Sequence, residues 1–246
     1  MRESLHINQH PGIQPPSFEC KVIDSHIIDD QCWIELDQTY YYPSGGGQPA
    51  DHGTIVSSDC NYSILDVRKR SEIHHLLGDD SVDITTILNT TFTANIDHNR
   101  RDKLCRMHTA QHLISAAADE LFGAATVGNQ INTEKTRIDL GMESRESFSK
   151  DDLESSVNKY IDASIDVTMS FSERNKLLND PLVRVNLDLL PKNIDELRVI
   201  TIDGIDICPC AGTHVANTSE IGHIQISKVK SKGAGKLRVE YNLLTE

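Results

Sequence analysis

From residue 18 to about residue 96 the apolar positions come in short runs, alternating or continuous, broken by turn residues. Cys32-Trp-Ile-Glu-Leu, Thr54-Ile-Val, Tyr62-Ser-Ile-Leu-Asp-Val and Thr90-Thr-Phe-Thr-Ala-Asn-Ile are examples. Several short strands at such close spacing predict a small β-barrel or sandwich. Tyr42-Pro-Ser-Gly-Gly-Gly-Gln-Pro interrupts the series, because neither a helix nor a regular strand interior accommodates that composition. The pattern changes near Asp97. Leu104, Met107, Leu113, Ala117 and Leu121 recur at helical spacing, which predicts a helix over residues 102–122, closed by Gly123. A strand pair follows over 127–140, turning around Asn132-Thr-Glu-Lys. Residues 149–162 read as a second helix, capped by Ser149 with Asp152 three residues on.

Beyond it, 167–171 reads as strand and 173–178 as a short helix. Residues 197–202, 222–229 and 236–243 read as strands of a closing sheet. Strands and helices are grouped rather than alternating, so the fold class is α+β. The expected division is a barrel domain over 1–96 and an α+β domain over 97–246.

At 246 residues the chain is long enough to bury a real core. No apolar run approaches the roughly eighteen residues of a membrane span, and the first twenty residues hold no signal-peptide core. The expectation is a soluble, cytoplasmic protein that does not engage a membrane, with its six cysteines reduced or ligating metal. A net charge of −13 argues against bulk nucleic-acid binding, but the charge is segregated. Acids gather at Asp79, Asp80 and Asp83. Between His223 and Val239 there is no acid, while Lys228, Lys230, Lys232, Lys236 and Arg238 are basic. Arg100, Arg101, Lys103 and Arg106 form a second basic cluster, placed just before the histidine helix.

That helix carries the candidate chemistry. His108 and His112 stand four apart, so they share a helix face and aim two imidazoles at one point. Cys210 and His214 repeat the spacing in Pro209-Cys-Ala-Gly-Thr-His, where Gly212 permits a tight loop. A helix pair and a loop pair together supply a tetrahedral nitrogen and sulfur shell, the set that zinc prefers, and one Zn2+ per chain is expected. Cys208 reads as a small buried hydrophobe rather than a ligand. Thr109 stands where zinc proteases of the H-E-x-x-H kind place their glutamate base, so hydrolysis of an activated ester fits better than peptidase chemistry. Four protein ligands make a closed site, whereas catalytic zinc keeps one position open. Three alternatives stand: His214 is not a permanent ligand, the metal expands its coordination, or it holds substrate rather than activating water.

His-Thr-Ala-Gln-His at 108–112, Cys-Ala-Gly-Thr-His-Val at 210–215 and the Tyr-Pro-Ser-Gly-Gly-Gly-Gln-Pro-Ala-Asp-His-Gly run resemble the editing half of alanyl-tRNA synthetases. They are closer still to the free-standing alanyl-tRNA editing (AlaX) proteins of medium length, which retain the glycine-rich barrel motif, here Gly45, Gly46, Gly47 and Gln48. Asp97 with Arg100 and Arg101, and Asn217-Thr-Ser-Glu-Ile-Gly, extend the likeness over residues 18 to 244. Ala211 departs from it, since the family more usually has glycine there. The resemblance implies an editing domain of the threonyl/alanyl-tRNA synthetase type. It implies hydrolysis in trans of mischarged tRNA(Ala), chiefly the seryl and sometimes the glycyl form. A pocket sized for alanine cannot exclude glycine and only weakly rejects one added hydroxyl, so a second sieve is needed. Thr39, Thr109 and Gln130 are the candidate readers of the seryl hydroxyl. Arg100, Arg101, Lys228, Lys230, Lys232, Lys236 and Arg238 are the candidate contacts to acceptor-stem phosphates. For the two arginines a domain-interface salt bridge is the alternative, and for the lysines a solvated strand edge. Competing functions are a non-catalytic, zinc-stabilised tRNA-binding module and editing of another mischarged tRNA such as seryl-tRNA(Thr). Monomer and dimer stay open.

Overall fold

The computed structural model describes residues 2–79, 82–178, 180–184, 195–233 and 235–244; Asp80 of the acidic group lies outside them. The chain divides into two compact units. One comprises Met1–Gln9, Ile13–Gly45 and Pro49–Asp102, the other His10–Gly12, Gly46–Gln48 and Lys103–Glu246. Among the described residues no helix is long and apolar enough to cross a membrane.

The first unit contains β1 (Glu3–Ser4), β2 (Phe18–Ile28), β3 (Gln31–Leu36), β4 (Gln38–Thr39), β5 (Gly53–Val56), β6 (Asn61–Lys69), β7 (Ile73–Leu77), a single-turn helix α1 (Ile84–Ile87) and β8 (Thr91–Ile96). Six of these strands close a barrel in the order β2-β3-β7-β6-β5-β8, every neighbouring pair antiparallel. Alternation along β3 sends Cys32, Ile34 and Leu36 into the barrel core, where they meet Ile55, Ile64, Leu77 and Phe92. The β2–β3 hairpin turns on Asp29 and Asp30, both with positive φ (52° and 60°), as a two-residue loop matched to strand twist requires. His75 points inward and is fully buried; burial lowers its pKa to about 3, so it is neutral.

Helix α2 spans His98–Phe122 and starts four residues before the helix expected over 102–122. Asp97 explains the difference: its Oδ1 accepts the Arg100 N–H at 3.0 Å, satisfying a donor of the first turn. Leu104, Met107, Leu113 and Ala117 are buried as their spacing predicts, but Leu121 is exposed near the helix end.

The second unit adds β9 (Ala125–Gln130), β10 (Thr136–Gly141), α3 (Lys150–Asp162), β11 (Val167–Glu173), the short α4 (Arg174–Leu177), β12 (Glu196–Ile202), β13 (Asp206–Pro209), β14 (Ile224–Ser231) and β15 (Lys236–Leu243). Ser149 caps α3 by accepting the Asp152 N–H at 3.2 Å. The strands expected to share one closing sheet belong to two. β14 and β15 lie in a four-stranded sheet ordered β14-β15-β10-β9, whereas β12 is the centre of β11-β12-β13. One apolar core joins α2, α3 and both sheets through Leu113, Ile138, Val157, Ile200 and Val239.

Candidate metal centre

Helix α2 and the loop after β13 bring His108, His112, Cys210 and His214 together inside the second unit. Their four ligand atoms lie within 4.8 Å of one another. The Cys210 Sγ is 3.5 Å from His108 Nε2 and 3.4 Å from His214 Nε2. Zinc bonds of about 2.0–2.1 Å to nitrogen and 2.3 Å to sulfur set the N···S edge of a tetrahedron near 3.5 Å. The donor set and its spacing therefore fit a zinc ion.

Each imidazole is turned by a partner on its outer nitrogen. His108 Nδ1 donates to Gln48 Oε1 at 2.7 Å, and His112 Nδ1 to Asp206 Oδ2 at 2.8 Å. Thr109 gives its hydroxyl proton to the Cys105 carbonyl and so accepts from His214 Nδ1 at 3.1 Å. With Nδ1 carrying the proton in all three rings, each Nε2 is left as the ligand atom. The loop is held as firmly. Gln48 also accepts the Thr213 N–H and donates to the Thr213 hydroxyl. Arg198 donates to the carbonyls of Cys210 and Gly212 at 2.7 and 3.0 Å. A Cβ on Gly212 would stand 2.1 Å from the His108 ring, so only glycine permits this approach. Ala211 is exposed, and its methyl is accommodated outside the contact.

The electrostatics suit a metal ligand set. Burial works against a charged Cys210, yet the surrounding imidazoles, His108 foremost, overcome it and hold the thiol well below its ordinary range. Burial, reinforced by His108, brings His214 down to about 3 and keeps it neutral. Burial also opposes a charge on His112, but the Asp206 carboxylate and Cys210 raise it to about 10, a proton that an ion on Nε2 would displace. Arg184 donates to the other oxygen of Asp206 at 2.8 Å. Cys208 is half-buried, and its thiol is pushed well above the ordinary range, first by burial and then by Cys210.

Other expected site residues fall elsewhere. Thr39 belongs to the first unit, buried, with its hydroxyl 2.9 Å from His75 Nε2 and accepting the Tyr41 N–H. Thr109 is fully buried and its hydroxyl is taken by Cys105, His214 and Val215, so it positions a ligand and has no free group with which to read a substrate. Gln130 is exposed on β9 and lines a cleft with Asn132, Lys135, Arg137 and Glu240. Arg101 is buried, ion-paired with Asp51 and donating to Gln9 and the Tyr40 carbonyl, all within the first unit. A phosphate contact is thereby ruled out for Arg101. Arg238 forms a two-pronged pair with Asp139 at 2.7 and 2.8 Å. Lys230, Lys232 and Lys236 are exposed. In the glycine-rich run Gly46 and Gly47 have positive φ, and a Cβ on Gly47 would overlap Asn129. That close approach carries Gln48 to His108.

Sequence reasoning missed Gln48 as an orienting group, and Asp206, Arg184 and Arg198 altogether. The usable signal was chemical: every metal-bound imidazole needs an acceptor for its other N–H, so polar residues near each ligand pair were candidates.

Comparison with known proteins agrees with the geometry. A family model described as "Threonyl and Alanyl tRNA synthetase second additional domain" matches residues 197–240, and one described as "tRNA synthetases class II (A)" matches residues 18–100. The "Alanyl-tRNA editing protein AlaX-M" of Saccharolobus solfataricus is 32% identical over 211 residues, covering 86% of this chain and 89% of its own length. The protein of the same name from Methanosarcina acetivorans is 32% identical over 235 residues, covering 92% and 94%. The "Alanine--tRNA ligase" of Methanosphaera stadtmanae is 34% identical over 243 residues, 94% of this chain but 26% of the ligase. The chain thus spans about a quarter of that ligase and most of the AlaX-M proteins.

Proposed function

The chain belongs to the family of alanyl-tRNA editing proteins of the AlaX-M type, and from that premise we propose that it is a zinc-dependent deacylase acting in trans on mischarged tRNA(Ala). The substrates are the seryl ester chiefly and the glycyl ester second. The observation that carries this reading is the convergence of His108, His112, Cys210 and His214 within 4.8 Å. Zinc bound there supplies a Lewis acid and a positive charge beside the amino ester.

The chain's own residues perform the remaining tasks. Gln48, Asp206 and Thr109 fix the three imidazoles, and Arg198 fixes the loop that bears Cys210 and His214. Thr39 and Thr109 are each committed to internal hydrogen bonds, which leaves Gln130 as the expected polar group available for a seryl hydroxyl. Arg137 lines the cleft beside Gln130. The tRNA phosphates are met by Lys228, Lys230, Lys232 and Lys236 on β14, β15 and their turn, with Arg100 at the start of α2 as a further contact. Arg238 organises that face through Asp139.

A second reading is favoured by one observation: four converging protein donors make a saturated shell of the kind structural zinc sites have. On that reading the protein is a zinc-stabilised tRNA-binding module. The deciding experiment charges tRNA(Ala) with serine, glycine and alanine, and tRNA(Thr) with serine, and follows each ester with and without a chelator. Fast decay of seryl-tRNA(Ala) alongside intact alanyl-tRNA(Ala) supports the deacylase. Tight tRNA binding without any decay supports the module, and preferential loss of seryl-tRNA(Thr) reassigns the substrate.

A further inference from the structure

The barrel carries a second cluster of metal-ligating groups, wholly inside the first unit and unrelated to the centre on α2. Strands β2, β3 and β7 are adjacent, and their register sets Glu35 opposite His74 on one side and opposite Asp24 on the other. His26 follows two residues after Asp24, on the same face. Since Cys32, Ile34, Leu36, Ile73 and Leu77 fill the barrel core, the alternating positions His26, Glu35 and His74 share its outer face. Glu35 Oε1 lies 3.4 Å from His26 Nε2 and 3.7 Å from His74 Nε2, and the three donor atoms fall within 4.8 Å of one another. The other carboxylate oxygen is held by Arg2, at 2.8 Å from Nε and 2.6 Å from Nη2.

As a set of hydrogen bonds this cluster is incomplete. His74 is buried, its Nδ1 has no partner among the described residues, and its Nε2 stands beyond hydrogen-bond range of Glu35. Nδ1 is the buried nitrogen, so Nε2, which faces Glu35 without a hydrogen bond to it, is the one free to take an ion. The spacing is instead close to that of ligands around one ion, because bonds of about 2.0–2.1 Å in a tetrahedral shell place nitrogen and oxygen donors near 3.3 Å apart.

We propose that His26, Glu35 and His74 form a second metal site, taking a borderline divalent cation of the Zn2+ class through two imidazole nitrogens and one carboxylate oxygen. Nitrogen donors select this class over Ca2+ and Mg2+. The His26 side chain is 40% exposed, which gives the ion a path and leaves a coordination position toward solvent. Arg2 fixes the carboxylate from behind, and Asp24, with Oδ2 3.6 Å from His26 Nε2, adds negative charge beside the ion. The ion ties three neighbouring strands together and serves the barrel's stability.

Co2+ separates this site from the first, because only Cys210 gives a thiolate-to-cobalt charge-transfer band. The protein stripped of metal and titrated with Co2+ is expected to bind two equivalents, one with that band and one without it. His26→Ala weakens the band-free equivalent by about 10-fold or more and leaves the charge-transfer band unchanged; His74→Ala does the same. If His74→Ala fails to fold, the exposed His26 decides alone. A single equivalent in the wild type, or band-free Co2+ binding that His26→Ala leaves unchanged, overturns the proposal.

Discussion

A single methyl group at position 212 would collide with the His108 ring, since a Cβ there falls 2.1 Å from the imidazole. Gly212→Ala is therefore expected to cost roughly 1–3 kcal/mol of stability, as overpacking does, and to lower bound zinc, measured by thermal unfolding and elemental analysis. Substitutions behind the ligands act more gently. Gln48→Ala and Asp206→Ala each remove the acceptor of one Nδ1–H and are expected to weaken zinc about 10- to 100-fold in a competition titration while the fold persists. The four donors were legible because i, i+4 spacing is a local pattern. Gln48 was not: it reaches His108 across sixty positions of sequence, through a glycine turn whose outcome no periodicity encodes. The role of Thr109 is hidden for the same reason, as its hydroxyl's partners, His214 and Val215, come from a remote loop.

Among the elements, α2 shows how a cap extends what apolar spacing implies. Periodicity begins at Leu104, but Asp97 starts the helix at His98, so the basic pair Arg100 and Arg101 lies on its first turn rather than ahead of it. Asp97→Ala is expected to cost about 0.5–2 kcal/mol in urea unfolding, the usual range for a lost N-cap. Between β10 and β15 the Asp139–Arg238 pair sets a pH response. The Arg238 guanidinium, hydrogen-bonded to it, holds the Asp139 carboxyl below its ordinary 3.8. A lowered folded-state value means that the pair's stabilisation is complete above about pH 4 and is lost as pH falls through the folded value. Arg238→Gln should flatten the loss of stability below pH 4, seen as convergence of the two unfolding curves in acid. The strand pairing here was readable from alternation; the separation of β12 from β14 and β15 was not, because strand order depends on long-range partners that single segments do not specify.

At the scale of the molecule, a chain of net charge −13 keeps exposed lysines together on one sheet of the second unit. Removing Lys230 and Lys232 together, as Lys230→Gln with Lys232→Gln, should weaken tRNA binding and make log K less steep in log salt, by about 0.9 for each phosphate no longer neutralised. An unchanged slope would place the acceptor stem elsewhere. The barrel and the mixed α and β composition were visible in the sequence; that Gly46–Gln48 clusters with the second unit was not, because it follows from packing against Asn129 and His108. Everything functional depends on the cluster of His108, His112, Cys210 and His214 acting as a metal centre that the hydrolysis requires. The most direct test is the half-life of seryl-tRNA(Ala) with zinc-loaded wild type and with His108→Ala. A half-life shortened by the wild type and restored to the uncatalysed value in His108→Ala is expected; equal half-lives for wild type, variant and no protein would contradict it.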